Sequence, residues 1–365
     1  MIALVESFSP RRMCGRENEQ RRILDLLQRV ARGGPGGVVL AEGEPGIGKT
    51  ALMRGAVDDA GTLGFTLAAG AGDQVGRAIP LFALRAALGE PFARFTADDV
   101  EHDERGGHAW WIGRMRAHLE EQAAAHPVLV CLDDVHWTCP ATLAGLRTLA
   151  RALRRRPVAW VLARSWSGEP DAEDLFDVLE QDGAVRLDMA PLTDEEVAAL
   201  LRYAFGAPPE PRLMALAAEA AGNPSLLVEP IGGLRDDDAV RCAGGRTCLT
   251  SSRLPRRVQQ AARARLDRLS KPAQHLLMTA AVLGPSFRLE DTAAMTGESP
   301  AALLPVVEET MAAGITTAVE NVFRFRHQLL RRAVHDMIPR AGRAALHRQY
   351  GDLLLLCDQT ADGSV

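Results

Sequence analysis

The segment from residue 37 to residue 52 reads GVVLAEGEPGIGKTAL. Its first six residues are an apolar run rich in β-branched side chains, which is typical of a buried strand. Gly43 to Thr50 match the pattern GxxxxGKT, and Thr50 to Val57 read as the start of a helix. A strand, a glycine-rich loop and a helix in this order predict an α/β fold with a parallel sheet and a loop that binds phosphate groups.

The glycines and the lysine of this loop have separate predicted roles. Gly43, Gly46 and Gly48 allow backbone conformations that turn successive N–H groups toward an anion. Lys49 is one of only two lysines among 42 basic residues, so a compact ammonium stands where arginine fills almost every other basic position. The alternative is a glycine-rich turn in which the lysine occurs by chance. We expect nucleotide contacts from the whole loop, namely Gly43, Glu44, Pro45, Gly46, Ile47, Gly48, Lys49, Thr50 and Ala51.

A second apolar run ends in two carboxylates. Residues 128–132 read VLVCL and are followed by Asp133 and Asp134. Ligands of a parallel sheet bind beyond the carboxyl ends of its strands, and Mg²⁺ prefers hard oxygen ligands. We therefore expect Thr50 and Asp133 to hold Mg²⁺ and Asp134 to polarise an attacking water. A helix N-cap is the alternative role for Asp134.

A third apolar run, VAWVLA at residues 158–163, is followed by Arg164. Beside the acidic strand this arginine would reach the γ-phosphate of a nucleotide. Lys49, Asp134 and Arg164 are therefore the predicted catalytic residues. The alternative for Arg164 is an arginine on the surface at the end of a strand.

The composition is that of an ordinary globular protein. Of the 365 residues, 47% are hydrophobic and 24% are charged, and the length predicts about two or three domains. The net charge of −5 gives no sign of a generally basic surface for nucleic acid. The six cysteines form no CxxC pair, which favours reduced thiols. No apolar stretch is long enough for a signal peptide or a membrane span, so we expect a cytoplasmic protein without a membrane partner.

Several short motifs occur in one order along the chain and carry a family resemblance. Gly15-Arg16-Glu17 precedes an amphipathic helix, and GEPGIGKT, LVCLDDVHW, Arg164, Ala190-Pro191-Leu192-Thr193 and Gly222-Asn223-Pro224 follow. Together they resemble the nucleotide-binding region of STAND-class ATPases, which are AAA+-like P-loop proteins. The similarity is greatest to the large ATP-binding LuxR-type bacterial transcriptional regulators, and it extends from about residue 10 to residue 350.

The resemblance implies a switch between an ADP-bound closed form and an ATP-bound open form, with slow hydrolysis. It implies that Gly15 and Arg16 lie near the adenine and that Pro224 contacts the base or ribose from a helical lid. His327 resembles in placement a histidine with which related proteins touch the ADP β-phosphate; a packed core histidine is the alternative. The LuxR-type regulators continue into a helical-repeat sensor and a DNA-binding domain, whereas this sequence stops at Val365. It is then either a natural short homologue or a piece of a longer protein.

The second half of the sequence predicts helices and one tight hairpin. Thr193 to Glu196 form a capping box, with Val197, Leu200 and Leu201 at helical spacing behind it. One face of an arginine-rich helix is marked by Leu254, Val258, Leu266 and Leu269, and its basic face suits either solvated charge or contact with nucleic acid.

The sequence then predicts helices near 272–283, 289–296 and 299–313, followed by strands at 315–319 and 322–325. Asn321 suits the positive φ of the turn between the two strands. Three helices and a hairpin predict a winged helix. Its third helix, Pro300 to Gly314, has no Lys or Arg to contact DNA.

These observations predict four regions: a P-loop ATPase domain at 1–190, a helical lid at 191–250, a winged-helix domain at 251–345 and a C-terminal helix and tail at 346–365. The predicted function is an ATP- or ADP-binding molecular switch, with Mg²⁺, that hydrolyses ATP slowly. On activation, the protein would bind a protein partner or a second copy of its own chain. Specific DNA binding is not expected. Three rival interpretations are a P-loop kinase for a small molecule, a DNA-binding regulator and a non-catalytic scaffold held by ADP.

Overall fold

The computed structural model describes residues 14–73, 76–90, 92, 107–166, 170–251 and 253–362, with the side chains of residues 356–362 excepted. The chain divides into two compact units, Met1–Ala190 and Pro191–Val365. Within the described residues, no helix combines the length and the apolar character needed to span a bilayer. The cysteines at positions 14, 131, 139, 242 and 248 are free thiols.

A parallel five-stranded sheet forms the centre of the first unit, in the order β2-β3-β4-β1-β5. Its strands are β1 (Gly37–Gly43), β2 (Thr66–Ala71), β3 (Val128–Asp133), β4 (Val158–Ser165) and β5 (Val185–Asp188). Every residue of β3 and β4 is buried. Strands covered on both faces are typical of parallel sheets, and this explains why β3 and β4 are continuous apolar runs rather than alternating ones.

Helices cover both faces of this sheet. They are α1 (Glu17–Ala31), α2 (Lys49–Thr62), α3 (Phe82–Leu88), α4 (Gly107–Ala125), α5 (Pro140–Ala152) and α6 (Pro170–Gln181). One core contains Val39, Ala41 and Val161 together with residues of α1 and α2. The other contains Leu40, Trp160 and Leu162 together with residues of α3 to α6. The predicted parallel α/β P-loop fold is confirmed, and alternate residues of β1 and β4 face different helical layers.

The second unit begins with helices and a short hairpin. The helices are α7 (Asp194–Phe205), α8 (Pro211–Ala218) and α9 (Pro224–Asp236), and β6 (Val240–Ala243) pairs antiparallel with β7 (Arg246–Leu249). The predicted capping box is present: the Thr193 N–H donates to Glu196 Oε2 at 2.7 Å, and the Glu196 N–H donates to Thr193 Oγ1 at 3.3 Å. Val197, Leu200 and Leu201 are buried, as their spacing predicts.

The rest of the second unit contains helices around a three-stranded sheet. These elements are α10 (Arg256–Leu266), α11 (Lys271–Leu283), β8 (Ser286–Phe287), α12 (Leu289–Thr296), α13 (Pro300–Ala312), β9 (Thr316–Val319), β10 (Val322–Phe325), α14 (Gln328–Met337) and α15 (Arg340–Asp362). The sheet order is β8-β10-β9, and β9 pairs antiparallel with β10.

Two sequence predictions for this part of the chain are wrong in detail. The arginine-rich helix α10 excludes Leu254 and Leu269, and the positive φ in the β9–β10 turn belongs to Glu320, at 53°, rather than to Asn321.

The Gly222-Asn223-Pro224 motif fixes the start of α9. Pro224 is the first residue of the helix, where its missing N–H costs nothing, and the Asn223 side chain accepts a hydrogen bond from the Ser225 N–H at 3.1 Å. Gly222 has a φ of 73°, and its carbonyl accepts from the Leu192 N–H at 2.9 Å. A Cβ atom at Gly222 would lie 2.3 Å from the Leu192 carbonyl oxygen, so only glycine allows this close approach.

We expect Gly222→Ala to destabilise the second unit more than Gly206→Ala does. Gly206, at the end of α7, has a similar φ of 80°, but a Cβ there would meet nothing within 4 Å. Gly206→Ala should therefore cost only the left-handed backbone strain of roughly 1–2 kcal/mol. Gly222→Ala should cost roughly 1–3 kcal/mol more, because the backbone at Leu192 must also move. Calorimetric unfolding of both variants measures the difference, and equal losses would contradict the close-approach argument.

Candidate nucleotide-binding site

The candidate site lies where β1 and β3 end at the same edge of the sheet. The chain leaves β1 at Gly43, forms a loop and enters α2 at Lys49. Gly46 and Gly48 have φ values of 85° and 109°, in the region that favours glycine, which explains their presence in the loop. Among the described residues, no side chain caps the N-terminus of α2. Helix N-terminal N–H groups and the positive end of the helix dipole together favour an anion at this position.

The Lys49 ammonium is buried inside the loop. Its Nζ donates to the Gly43 carbonyl at 3.0 Å and to the Glu44 carbonyl at 2.9 Å, and the residue is 5% exposed. Burial lowers the pKa of Lys49, and the charges of Asp134, Asp133 and Glu44 act in the opposite direction. An ammonium has three donor hydrogens, so two carbonyls leave one donor for an anion at the centre of the loop.

Thr50 and Asp133 face each other across the gap between α2 and β3. The Thr50 hydroxyl donates to Asp133 Oδ2 at 2.6 Å, and the other oxygen, Oδ1, accepts from the Asp134 N–H at 2.8 Å. The structure therefore brings together the two residues that the sequence predicts as ligands of Mg²⁺. Hydroxyl and carboxylate oxygens are the hard donors that this cation prefers.

Asp134 occupies a strained turn directly after β3. Its φ is 48°, in the left-handed region, which turns the chain sharply into the short helical turn Val135–Trp137. Asp134 does precede that turn, but its side chain makes no capping hydrogen bond there within the described part of the chain. Asp134 is only partly buried, with 41% of its side chain exposed, and this partial burial raises its pKa to about 6. The negative charge of Asp133 adds to the shift, and the Lys49 ammonium opposes it.

His136 was not singled out by the sequence analysis, yet it links this turn to the next strand. Its Nδ1 accepts a hydrogen bond from the Ser165 N–H at 3.2 Å and lies 3.9 Å from Asp134 Oδ1. The side chain is 4% exposed. A nitrogen that accepts a backbone N–H carries no proton itself, so this contact favours the neutral ring with its proton on Nε2. The sequence signal was the histidine two residues after the Asp133–Asp134 pair.

Arg164 contacts Glu42 and Phe176, and within the described ranges of the chain none of its hydrogen bonds or ion pairs reaches Lys49, Thr50 or Asp133. Its Nε donates to Glu42 Oε2 at 2.8 Å, and its guanidinium lies 5.1 Å from the centre of the Phe176 ring of α6. Arg186 binds the other oxygen of Glu42, with an Nε–Oε1 distance of 2.9 Å. The adjacent Ala163 packs in the core that contains α1 and α2, whereas Arg164 faces α6. Arg164 is also buried, so the surface alternative is wrong, and its contact with a γ-phosphate stays a prediction.

Four other predicted residues lie at element boundaries. Gly15, with a φ of 75°, turns the chain before α1, and the Arg16 guanidinium reaches the loop, where it donates to the Ile47 carbonyl at 3.1 Å. Pro224 begins α9 in the second unit. His327 directly precedes α14 in the same unit and is 5% exposed. The predicted contacts of Gly15, Arg16, Pro224 and His327 with a nucleotide stay predictions.

Part of the chain matches a known family model, and its fold resembles solved structures. Residues 12–161 match the family model of the AAA ATPase domain. A comparison with curated proteins gives no match. The Walker-type ATPase paby2304 of Pyrococcus abyssi is a structural neighbour, with a TM-score of 0.58 at 14% identity over 88% of this chain and 96% of that chain.

Two archaeal proteins from Aeropyrum pernix are similar in structure as well. The ORC2 protein, in its ADPNP–ADP complexes, gives a TM-score of 0.57 at 15% identity over 98% of each chain. The ORC1 protein, in complex with DNA, gives a TM-score of 0.54 at 18% identity over 94% of this chain and 97% of that chain. Such low identities show the fold alone. With the family match, they support a nucleotide-binding, AAA+-like P-loop ATPase domain in the first unit.

The raised pKa of Asp134 predicts a pH-dependent effect of Asp134→Asn on the stability of the protein without nucleotide. An acid whose pKa rises on folding, here from 3.8 to about 6, destabilises the folded state when it is ionised. Asp134→Asn should therefore raise the melting temperature above pH 6, and this gain should shrink as the pH falls and vanish below about pH 4. Melting curves of both proteins between these limits test it. A gain that does not depend on pH would contradict the assignment of the shift to Asp134.

Proposed function

We propose that this protein is an ATP- and ADP-binding molecular switch that hydrolyses ATP slowly, of the kind found in STAND-class, LuxR-type regulators. The observation that carries the proposal is the juxtaposition of Lys49, Thr50 and Asp133 at one sheet edge. Lys49 is held inside the loop by the Gly43 and Glu44 carbonyls, and Thr50 is hydrogen-bonded to Asp133. A loop of N–H donors, a buried ammonium and a hydroxyl–carboxylate pair fit a nucleotide triphosphate with its metal ion.

Each group has a proposed role in binding. The backbone N–H groups between Gly43 and Ala51 would hold the phosphates, and Lys49 would bind the β- and γ-phosphates through its remaining donor. Thr50 and Asp133 would hold Mg²⁺, which supplies Lewis-acid neutralisation of the phosphate charge when it is bound. Burial of the Lys49 charge favours this role, because a low-dielectric surrounding strengthens its attraction to an anion.

Asp134 would orient and polarise the attacking water. Its pKa of about 6 keeps it ionised at neutral pH while making it a stronger base than an ordinary aspartate. The arrangement also favours slow hydrolysis. Arg164, which would stabilise the charge of the γ-phosphate, is held by Glu42 on the α6 side of the sheet. It would have to change partner before it could act, and a rate limited by such a rearrangement suits a switch.

The second unit would supply the lid and the winged helix of the switch. Helices α7 to α9, with Pro224 at the start of α9, are the proposed lid; α11, α12 and α13 with the β9–β10 hairpin are the proposed winged helix. His327, buried after β10, is the proposed contact for an ADP β-phosphate. A protein partner or a second copy is the proposed target of the activated form.

Direct reading of DNA is not part of the proposal. The structural neighbour ORC1 was solved with DNA, but here α13, the third helix of the proposed winged helix, contains no Lys or Arg. Glu308 and Glu309 lie on it, so phosphate groups would meet negative charge. A scaffold held by ADP shares the same binding residues. It differs only in releasing no phosphate from ATP.

Lys49→Ala should lose nucleotide binding. The lysine is the only side-chain cation in the loop, and its removal deletes the charge that the phosphates would meet. With ATP and Mg²⁺ at about 100 times the Kd, the wild type should gain ~2.7 kcal/mol of stability and the variant almost none. Arg54→Ala, which removes an exposed cation from the same helix, is the matched control and should keep the full gain. An equal gain for Lys49→Ala would contradict the role of the loop.

Asp133→Asn and Asp134→Asn should have different effects. Asp133→Asn should weaken binding only in the presence of Mg²⁺, because it removes a ligand of the metal ion. Asp134→Asn should leave affinity nearly unchanged and slow phosphate release by about 10²–10⁴-fold, since only the transition state uses the polarised water. Nucleotide titrations and single-turnover phosphate release separate the two effects. Equal losses of affinity in both variants would show that the division of roles is wrong.

A further inference from the structure

The Arg16 guanidinium joins three parts of the first unit. Its NH1 group donates to Glu19 Oε1 in α1 at 3.2 Å. Its NH2 group donates to two carbonyl oxygens, that of Ile47 in the phosphate loop at 3.1 Å and that of Ala190 at 2.6 Å. Arg16 is 4% exposed, so these contacts are shielded from water. Charge-assisted hydrogen bonds in such surroundings are roughly twice as strong as neutral ones.

The two carbonyls belong to segments with different roles. Ile47 is at the centre of the loop, and its own N–H donates to the Glu44 carbonyl at 3.2 Å. Ala190 is the last residue of the first unit, two residues after β5 ends. The main chain just before it is also beside the loop, because the Met189 N–H donates to the Glu42 carbonyl at 2.8 Å. Residues 189–190 are therefore connected to the loop and to the end of β1 by short hydrogen-bonded contacts.

We infer that Arg16 is a positioning residue that couples the conformation of the phosphate loop to the main chain at Ala190, where the first unit ends. The inference rests on the proposed function, namely that the loop binds nucleotide. One NH2 group shares its hydrogens between both carbonyls, so a change in the direction of the Ile47 carbonyl alters its hold on Ala190. The NH2 nitrogen binds both carbonyls while the NH1 nitrogen binds Glu19. These contacts need donors on two arms of one planar group, whereas a lysine ammonium offers all its donors from a single nitrogen.

The direction of the effect follows from the loop chemistry. A bound phosphate fixes the loop N–H groups inward and thereby fixes the peptide planes, including the one that carries the Ile47 carbonyl. Arg16 then holds Ala190 more firmly, and backbone N–H groups near residue 190 open to solvent less often. Removal of Arg16 would weaken nucleotide binding if the residue also lies near the adenine, but once ADP is bound at saturation it would still order the loop. Residues 186–193 would then respond much less than in the wild type.

Hydrogen exchange followed by mass spectrometry tests this coupling in the full chain. Peptides covering residues 43–52 and 186–193 are measured in the wild type, Arg16→Gln, Arg16→Lys and Arg21→Gln, without ligand and with ADP and Mg²⁺ at concentrations that saturate each variant by its own titration. Arg21 is exposed on the same helix, where its NH1 group donates to Asn18 Oδ1 at 3.2 Å, so it is the matched control. In the wild type and in Arg21→Gln, ADP should slow exchange in both peptides.

In Arg16→Gln and Arg16→Lys, ADP should still slow exchange in residues 43–52, while the slowing in residues 186–193 should fall by about tenfold, equivalent to about 1.4 kcal/mol. Retention of the full effect in residues 186–193 in either variant would overturn the coupling. If Arg16→Gln does not fold, Arg16→Lys decides, because it keeps the charge and the long side chain. Failure of the proposed function looks different: ADP would then slow exchange in neither peptide of the wild type.

Discussion

The burial of the Lys49 ammonium constrains the structure of the sheet edge at which β1 and β3 end. A charge at the position of Lys49 can leave water only if polar groups surround it, and the Gly43 and Glu44 carbonyls supply two of its hydrogen bonds. The loop that carries these carbonyls continues through Gly46 and Gly48, whose φ values of 85° and 109° lie in the region that favours glycine. The carboxylates of Asp133 and Asp134 balance the charge from β3. The loop, the helix after it and the tip of β3 are thus organised around a single cation.

The same strand ends support a second charge network on the opposite face. Glu42 is buried one residue before the loop and binds both Arg164 and Arg186. Removal of one partner of a buried ion pair typically costs about 3–5 kcal/mol, but a carboxylate with two arginine partners keeps one when the other leaves. Arg186 also binds Asp177 and Glu180 of α6 and so stays in place. Departure of Arg164 from Glu42 is therefore less costly than the loss of an isolated pair, which suits a residue with two alternative positions.

Local sequence signals predicted the parallel sheet, the loop, the Asp133 carboxylate and the capping box at Thr193, because each depends on residues close together in sequence. Contacts between distant strands were harder to foresee. Nothing in the run VLAR indicates that Arg164 binds Glu42, since that contact depends on the β1–β4 register and on which face α6 covers. The same holds for His136 and Ser165, and for the bridge from Arg16 to Ile47 and Ala190. The prediction for the β9–β10 turn was wrong for another reason. Asn321 is a residue type suited to positive φ, but its neighbour Glu320 is the residue that adopts it.

The central claim is that Lys49, Thr50 and Asp133 form one site for a nucleotide and its metal ion. Calorimetric titration of the wild-type protein with ATP and with ADP, in Mg²⁺ and again in EDTA, tests it most directly. We expect one nucleotide bound per chain and a clear loss of ATP affinity when Mg²⁺ is removed, because Thr50 and Asp133 then contribute no metal contact. Absence of binding by either nucleotide in both solutions would contradict the claim, and ATP binding of equal strength with and without Mg²⁺ would remove Thr50 and Asp133 from it.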